Sequence, residues 1–263
     1  MTKPLRRMAG YLMDVLVPCR CLHCFETEPG SMHLGLCRRC RQRLRPLISQ
    51  LISPLGSPRG SPRGRACDLC GVALETPRAT ATLRCIPCMQ RRSPLDRLFC
   101  AWRYQEPLDA VIHGLKFQDL TYLGTQLASE LSRLLPQDLE IDAVVPVPLH
   151  WLRSWTRGYN QASEIARPLA RRRGWRLEDA LVRRRSTPPQ SGLDRAGRLR
   201  NLHRAFAPRR RLDGFGCEGK RLLLIDDVYT TGATLEAAAL ALRSAGATWV
   251  GAAVAGRTPR PES

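Results

Sequence analysis

The sequence predicts an α/β protein, a parallel sheet flanked by helices, preceded by a small zinc-ribbon region built on four-cysteine sites. Nearly all-apolar segments alternate with segments of helical apolar spacing over residues 96–263, a pattern typical of parallel strands covered by helices on both faces. Before residue 96, eight cysteines fall in four Cys-x-x-Cys pairs, a spacing typical of metal ligands. We therefore predict a double zinc-ribbon region at 1–95, with a low-complexity linker at 46–66, and an α/β domain at 96–263.

The elements of the larger domain follow in order from the apolar periodicity. Strands are predicted at 98–104, 143–148, 222–225 and 249–255. Helices are predicted at 108–117, 120–135, 161–172 and 235–244. Gly246 is placed to end the last helix as its C-terminal cap.

Composition favours a globular protein with an anionic partner. The 263 residues are 43% hydrophobic and carry a net charge of +19, which attracts nucleic acid, phosphorylated substrates or an anionic surface. Only Lys3, Lys116 and Lys220 among the 42 basic residues are lysine, so an arginine-biased genome also explains the charge. There is no apolar run of about eighteen residues, so no membrane span is predicted. The start lacks a secretory cleavage site, and we expect a reduced, cytoplasmic location.

The most informative segment reads Leu-Leu-Leu-Ile-Asp-Asp-Val-Tyr-Thr-Thr-Gly-Ala-Thr over residues 222–234. Ligands of open parallel sheets bind where strands end, and there Asp226 and Asp227 can accept from two vicinal hydroxyls. Loop N–H groups, threonine hydroxyls and the positive end of the next helix suit a phosphate, and Gly232 permits close backbone approach. The segment predicts a site for ribose 5-phosphate.

The cysteine pairs predict two structural zinc sites. Each pair lets two thiolates reach one metal, and two pairs complete a closed tetrahedral site. In sequence order the ligands are Cys21, Cys24, Cys37 and Cys40, then Cys67, Cys70, Cys85 and Cys88. Phe25 stands where glycine eases the usual turn, so Cys19 and His23 remain alternative ligands in the first ribbon. Zinc would supply folding energy that this weak-core region lacks.

The order of the motifs resembles the ComF family of competence-associated proteins, which includes the GntX proteins. The matching segments downstream of the cysteine pairs are 112–117, 145–149, 157–161, 187–193, 195–201 and 222–234. The resemblance covers nearly the whole chain, apart from the repeated Ser-Pro-Arg-Gly at 57–64. It implies a type I phosphoribosyltransferase fold that binds 5-phosphoribosyl-1-pyrophosphate (PRPP), and a role in natural transformation, DNA uptake or use of external DNA.

The resemblance also implies roles for individual residues. The PRPP-binding segment comprises Asp226, Asp227, Val228, Tyr229, Thr230, Thr231, Gly232, Ala233 and Thr234, with the aspartates on the ribose hydroxyls and residues 230–234 around the 5-phosphate. The pyrophosphate loop comprises Pro146, Val147, Pro148 and Leu149. A helix start and a mobile loop that closes over PRPP supply Arg157, Asn160, Gln161, Gln190 and Arg195. Magnesium would bridge the diphosphate and the ribose hydroxyls, held largely by substrate and water.

Several interpretations remain open at this point. Asn160 and its neighbours are either a helix cap or contacts to diphosphate or a partner. Lys116 is interpreted as a surface cation on an amphipathic helix, with a role in the site as the alternative. Trp151, Trp155 and Tyr159 either pack or stack on bases of single-stranded DNA. The chain is an enzyme whose acceptor is ammonia, an amine or a nucleobase, a binding module for DNA or other competence proteins, or a zinc-stabilised scaffold; no catalytic residue is identified.

Overall fold

The computed structural model describes residues 20–27, 32–47, 65–67, 69, 73–74, 84–90, 93–149, 158–183, 205–209 and 216–258. The helices within these ranges are α1 (Arg38–Gln42), α2 (Ile86–Gln90), α3 (Leu108–Phe117), α4 (Tyr122–Leu134), α5 (Gln161–Arg173) and α6 (Ala233–Ser244). The strands are β1 (Arg65–Ala66), β2 (Ala73–Leu74), β3 (Arg97–Arg103), β4 (Ala143–Pro146), β5 (Arg176–Leu177), β6 (Leu181–Arg183), β7 (Phe206–Pro208), β8 (Arg221–Tyr229) and β9 (Trp249–Arg257).

A parallel sheet of five strands, in the order β3-β9-β8-β4-β5, forms the centre of the fold. The central strands β8 and β9 are buried along nearly their whole length, because helices cover both faces of the sheet. Parallel strands end at the same edge, and Pro146 at the end of β4 is paired with Ile225 of β8. The segment that follows β4 therefore begins beside the last residues of β8, 226–229.

Alternation along β8 divides the core into two layers. Leu223 and Ile225 contact the layer that contains α3, α4 and α5. Leu222 and Leu224 contact the layer that contains α6 and the antiparallel β6–β7 hairpin. Because side chains alternate along a strand, Asp227 continues the α3–α5 side and Asp226 the opposite side.

The cysteine region packs directly on the α/β domain. Leu34 and Leu36 are buried together with residues of α3 and α4, and His33 Nε2 lies 3.0 Å from Glu130 Oε1. Residues 45–47 run antiparallel beside the edge strand β3. Leu47 N donates to Ala101 O at 3.1 Å, and a bridge pairs Pro46 with Trp102. The first residues of the predicted 46–66 linker thus extend the sheet, and residues 48–64 lie outside the described ranges.

Most predicted elements are present within a few residues of the expected bounds. Strand β8 continues through Asp226 and Asp227 to Tyr229 instead of ending at Ile225, because β9 pairs with it as far as Arg257. The prediction missed β5 and the β6–β7 hairpin, whose strands are only two or three residues long. Gly246 follows α6 with φ +91°, as predicted for its cap. Among the helices described, none is both long and apolar enough to cross a membrane.

Candidate functional site

The predicted phosphoribosyl segment lies at the carboxyl edge of the sheet. Its first four residues are the end of β8, the next three form a turn, and Ala233 and Thr234 begin α6. Beside it, Val147 N donates to Ile225 O at 3.0 Å, which fixes the segment after β4 against the acidic end of β8. Pro146 and Val147 are buried, whereas Pro148 and Leu149 are partly exposed.

Asp226 and Asp227 form a tight acidic pair. The Asp227 N–H donates to Asp226 Oδ1 at 2.9 Å, so the Asp226 carboxyl folds back toward its neighbour. Burial and the adjacent Asp227 carboxylate raise the pKa of Asp226 to about 7, while that N–H and the positive charges of Lys116 and Arg183 oppose the rise. A pair held this way is suited to accept hydrogen bonds from two neighbouring hydroxyl groups of one ligand.

Lys116 contacts this pair from the last turn of α3. Its Nζ lies 2.8 Å from Asp227 Oδ2, and the two side chains are 23% and 5% exposed. The interpretation of Lys116 as a snorkelling surface cation is therefore wrong: the ammonium turns inward to an almost buried carboxylate. The tertiary packing of α3 beside β8 decides this direction, which helical periodicity alone does not specify.

The turn before α6 depends on Gly232. Its φ is +84°, and a methyl group added there would lie 2.1 Å from Tyr229 Oη. Tyr229 is buried, its ring centroid is 5.2 Å from Arg257 Cζ, and its carbonyl accepts from Thr258 N at 3.1 Å. The Tyr229 ring thus packs against the turn, where only glycine fits.

Replacing Gly232 with alanine is expected to destabilise the protein and weaken ligand binding together. The left-handed backbone alone costs about 1–2 kcal/mol for a residue with a Cβ, and the Tyr229 ring must move as well. Gly174→Ala is the matched control, since Gly174 has φ +67° with nothing within 4 Å of the added Cβ. Denaturant unfolding should show a larger loss for Gly232→Ala; equal losses would contradict a role for Tyr229 contact.

The start of α6 offers backbone N–H groups to an anion. Gly232 is the N-cap residue of α6 and makes no side-chain hydrogen bond to the first N–H groups of the helix. The Ala233 N–H makes only a long 3.5 Å contact with Thr231 Oγ1. Thr230 is exposed, and Thr231 and Thr234 are partly exposed, so their hydroxyls border the same space. Helix N-termini with such donors favour phosphate.

Asn160 supports the segment after β4 by using both ends of its amide. Its Nδ2 donates to Val147 O at 3.0 Å, and its Oδ1 accepts from Ala162 N at 3.1 Å as the N-cap of α5. Gln161 is the buried first residue of that helix. The neighbouring Tyr159 hydroxyl donates to Leu115 O, so it packs against α3. These contacts link the helix start, the β4 end and the Lys116 helix.

Four cysteines of the first ribbon converge as predicted. The Sγ atoms of Cys21, Cys24, Cys37 and Cys40 all lie within 4.8 Å of one another. The Cys24–Cys37 Sγ distance is 3.7 Å, close to the edge of about 3.8 Å that a tetrahedron with zinc–sulfur bonds of about 2.3 Å requires. Burial opposes ionisation of Cys21, but N–H groups of Cys24, Cys37 and His23 lower its pKa to about 7. The geometry and donors fit zinc.

The residue that follows Cys24 completes the turn in a strained backbone conformation. Phe25 takes the left-handed conformation that glycine would adopt, with φ +61°. His23 Nε2 lies 3.2 Å from an Arg43 nitrogen and is not part of the cluster, so it is not needed as a replacement ligand; Cys19 lies outside the described residues.

The second ribbon is described in part. Sγ atoms of Cys67, Cys85 and Cys88 also lie within 4.8 Å of one another, and Cys70 falls outside the described residues. The two clusters could each bind a zinc ion. Cys100 and Cys217 are buried and belong to neither cluster.

Comparison with known proteins agrees with the motif order. Residues 122–262 match the phosphoribosyl transferase domain family. The DNA utilization protein YhgH of Escherichia coli strain K12 is 37% identical over 194 residues, covering 69% of this chain and 79% of that protein. Competence protein F of Haemophilus influenzae is 30% identical over 245 residues, covering 86% of this chain and 92% of that protein. The chain belongs to the ComF family.

Among solved structures, a glutamine PRPP amidotransferase from B. subtilis is 23% identical, with a TM-score of 0.35, over 50% of this chain and 25% of that chain. The family match and the parallel sheet confirm the predicted fold for this ComF protein: a type I phosphoribosyltransferase fold preceded by cysteine clusters that fit zinc ribbons.

Other predicted site residues of this ComF protein lie outside the described ranges. They are Arg157, Gln190 and Arg195, together with Trp151 and Trp155. The predicted mobile loop connects strands β6 and β7, so its two anchors are next to each other in the hairpin. For Lys116 the sequence favoured the surface interpretation over the alternative of a role in the site. One signal for the alternative is that Lys116 is a lysine in a chain whose basic residues are nearly all arginine.

Proposed function

We propose that this ComF-family protein binds PRPP with magnesium at the carboxyl edge of its sheet and acts in DNA uptake or the use of external DNA. The observation that carries the first part is the junction of three features: the Asp226–Asp227 pair, the open N-terminus of α6 and the adjacent end of β4. The names of its relatives, a DNA utilization protein and a competence protein, support the second part.

Each feature matches one part of the ligand. The ribose hydroxyls would donate to Asp226 and Asp227, and the N–H groups and hydroxyls of residues 230–234 would donate to the 5-phosphate. Within 146–149 the backbone donor for the diphosphate would be the Leu149 N–H, because Pro146 and Pro148 have none and the Val147 N–H donates to Ile225 O. Asn160 holds this segment through Val147 O. Magnesium would neutralise the diphosphate and draw the ribose hydroxyls toward it. Cysteine-bound zinc and a phosphorylated metabolite fit the reduced, cytoplasmic compartment predicted from the sequence.

Titration calorimetry with magnesium and PRPP tests this proposal, and binding should strengthen from pH 6 to pH 8. An ionised carboxylate accepts from ribose hydroxyls better than a protonated one, and Asp226 ionises with a pKa of about 7. Ionisation of Asp226 between pH 6 and pH 8 should raise the affinity by at most about tenfold, which corresponds to about 1.36 kcal/mol. The 5-phosphate of the ligand also ionises near pH 6. Asp226→Asn is therefore the control, because the pH dependence that it retains comes from the ligand. Failure of the wild-type protein to bind at either pH would contradict the proposal.

A second candidate is an active phosphoribosyltransferase of nucleotide or amine metabolism without a direct DNA role. The completeness of the acidic pair and phosphate turn supports it, because a scaffold has no need of either. Incubation with PRPP and magnesium against a panel of ammonia, amines and nucleobases should then release pyrophosphate with one acceptor. Background release with every acceptor would favour a binding module.

Direct DNA binding is expected to be weak and dependent on salt. Arg171 and Arg172 are exposed at the end of α5, whereas Arg173 is used to donate to the carbonyls of Ser132 and Leu135. Because each phosphate contact on a single strand contributes about 0.7 to the slope of log affinity against log salt, Arg171→Gln/Arg172→Gln should flatten that slope by up to about 1.4.

Fluorescence anisotropy with oligonucleotides measures this slope. Arg133→Gln is the control, since its guanidinium is paired with Glu130 and should contribute little. Absence of binding at low salt would leave the charge explained by arginine bias or by the phosphorylated ligand.

A further inference from the structure

The ion pair between Lys116 and Asp227 is largely buried and lies at the carboxyl edge of the sheet. Asp227 is only 5% exposed, and its Oδ2 lies 2.8 Å from Lys116 Nζ. Apart from this ammonium, no hydrogen-bond donor among the described residues reaches that buried oxygen. The ammonium is therefore the main compensation for the negative charge of Asp227 in the free protein.

Fold stability does not account for this pair. Removing two charges from water costs several kcal/mol per ion, and apolar replacements of buried ion pairs are often equally stable. A cation is also favourable at the negative end of α3, but that effect is available to a side chain in solvent and does not require contact with Asp227. Both partners instead lie at the carboxyl edge of the sheet, where ligands of such folds bind.

The pair connects the two layers of the protein at the ligand position. Asp227 points to the α3–α5 side of β8 and meets Lys116, while Arg183 of the β6–β7 hairpin adds positive charge near Asp226 on the other side. When ribose hydroxyls donate to Asp227, they take the place that the ammonium holds in the free protein. Lysine carries three N–H donors on a flexible stem, so its ammonium can turn to a neighbouring ligand oxygen without leaving the site.

We propose that Lys116 is a binding residue that exchanges partners, from Asp227 in the free protein to a diphosphate oxygen on C1 of the bound ribose. The inference rests on the proposed function, and it adds a specificity: the diphosphate on C1 lies next to the two ribose hydroxyls that would donate to Asp226 and Asp227. Lys116 therefore distinguishes ribose 5-phosphate that carries a diphosphate from ribose 5-phosphate that does not.

The test compares two ligands, PRPP and ribose 5-phosphate, each with magnesium, by calorimetry. Lys116→Gln should weaken PRPP binding by about tenfold or more, the size of one hydrogen bond to a charged group, and change ribose 5-phosphate binding by less than about threefold. Lys116→Arg should restore much of the loss. Lys220→Gln is the matched control, because Lys220 pairs with Asp142 at 3.3 Å just before the start of β8, about 23 Å from Asp227 at about 3.3 Å per residue.

The outcomes separate the alternatives. Equal weakening of both ligands would overturn the proposal and leave Lys116 as a residue that only positions Asp227. Unchanged binding of both would also overturn it, because the lysine would then not contact the ligand. If the wild-type protein binds neither ligand, the proposed function itself fails. If the wild type binds PRPP and the Lys116→Gln variant binds it equally well, only the inference about Lys116 fails.

Discussion

Asp226→Asn/Asp227→Asn is expected to reduce PRPP affinity by at least about a hundredfold, since each hydrogen bond to a charged group contributes about 1.5–3 kcal/mol. The asparagine side chain can place an N–H donor where the ribose hydroxyl needs an acceptor. The Asp227→Asn change also leaves Lys116 without its carboxylate partner. Calorimetry with magnesium and PRPP measures the loss directly.

The variant should remain folded, which makes the result interpretable. The raised pKa of Asp226 means that folding disfavours its ionised form, so this carboxyl lowers stability as pH rises from its unfolded pKa toward pH 7. A neutral amide removes that repulsion. Asp142→Asn is the control, because Asp142 accepts from Arg221 N at 2.8 Å at the other end of β8 and should leave PRPP affinity unchanged. Equal affinity of the wild type and the double variant would sink the ribose assignment.

Removal of zinc is expected to unfold the cysteine region and destabilise the whole chain. Structural zinc contributes about 10–16 kcal/mol per site, and elemental analysis of freshly purified protein should find close to two ions per chain, as two four-cysteine sites require. Cys40→Ser should lose one ion and melt at a much lower temperature, since Cys40 is buried among residues of both regions.

Cys217→Ser provides the control, because Cys217 is buried but outside both clusters. A zinc content near zero, with all thiols titrating freely, would reject the zinc assignment. One ion per chain would locate the failure in a single ribbon, which Cys40→Ser and Cys88→Ser would then identify.

Local patterns made the ribose segment predictable, because strand, acidic pair, turn and helix start are consecutive in the chain. The cysteine pairing in the first ribbon was predictable for the same reason, although Phe25 had to adopt a glycine-like conformation. The contact of Lys116 with Asp227 was not, because it joins residues far apart in sequence and depends on how α3 packs beside β8. The β6–β7 hairpin was missed because its short strands lack an alternating pattern long enough to recognise.

The pairing of residues 45–47 with β3 has a consequence for the solubility of the fold. An unpaired edge strand is a template for association with other chains, and β3 is an outer strand of the five-stranded sheet. The segment that follows the first cysteine cluster covers that edge through the Pro46–Trp102 bridge. A fragment that begins at residue 96 would expose both this edge and the apolar surface beneath Leu34 and Leu36. We therefore expect such a fragment to aggregate more readily than the whole chain.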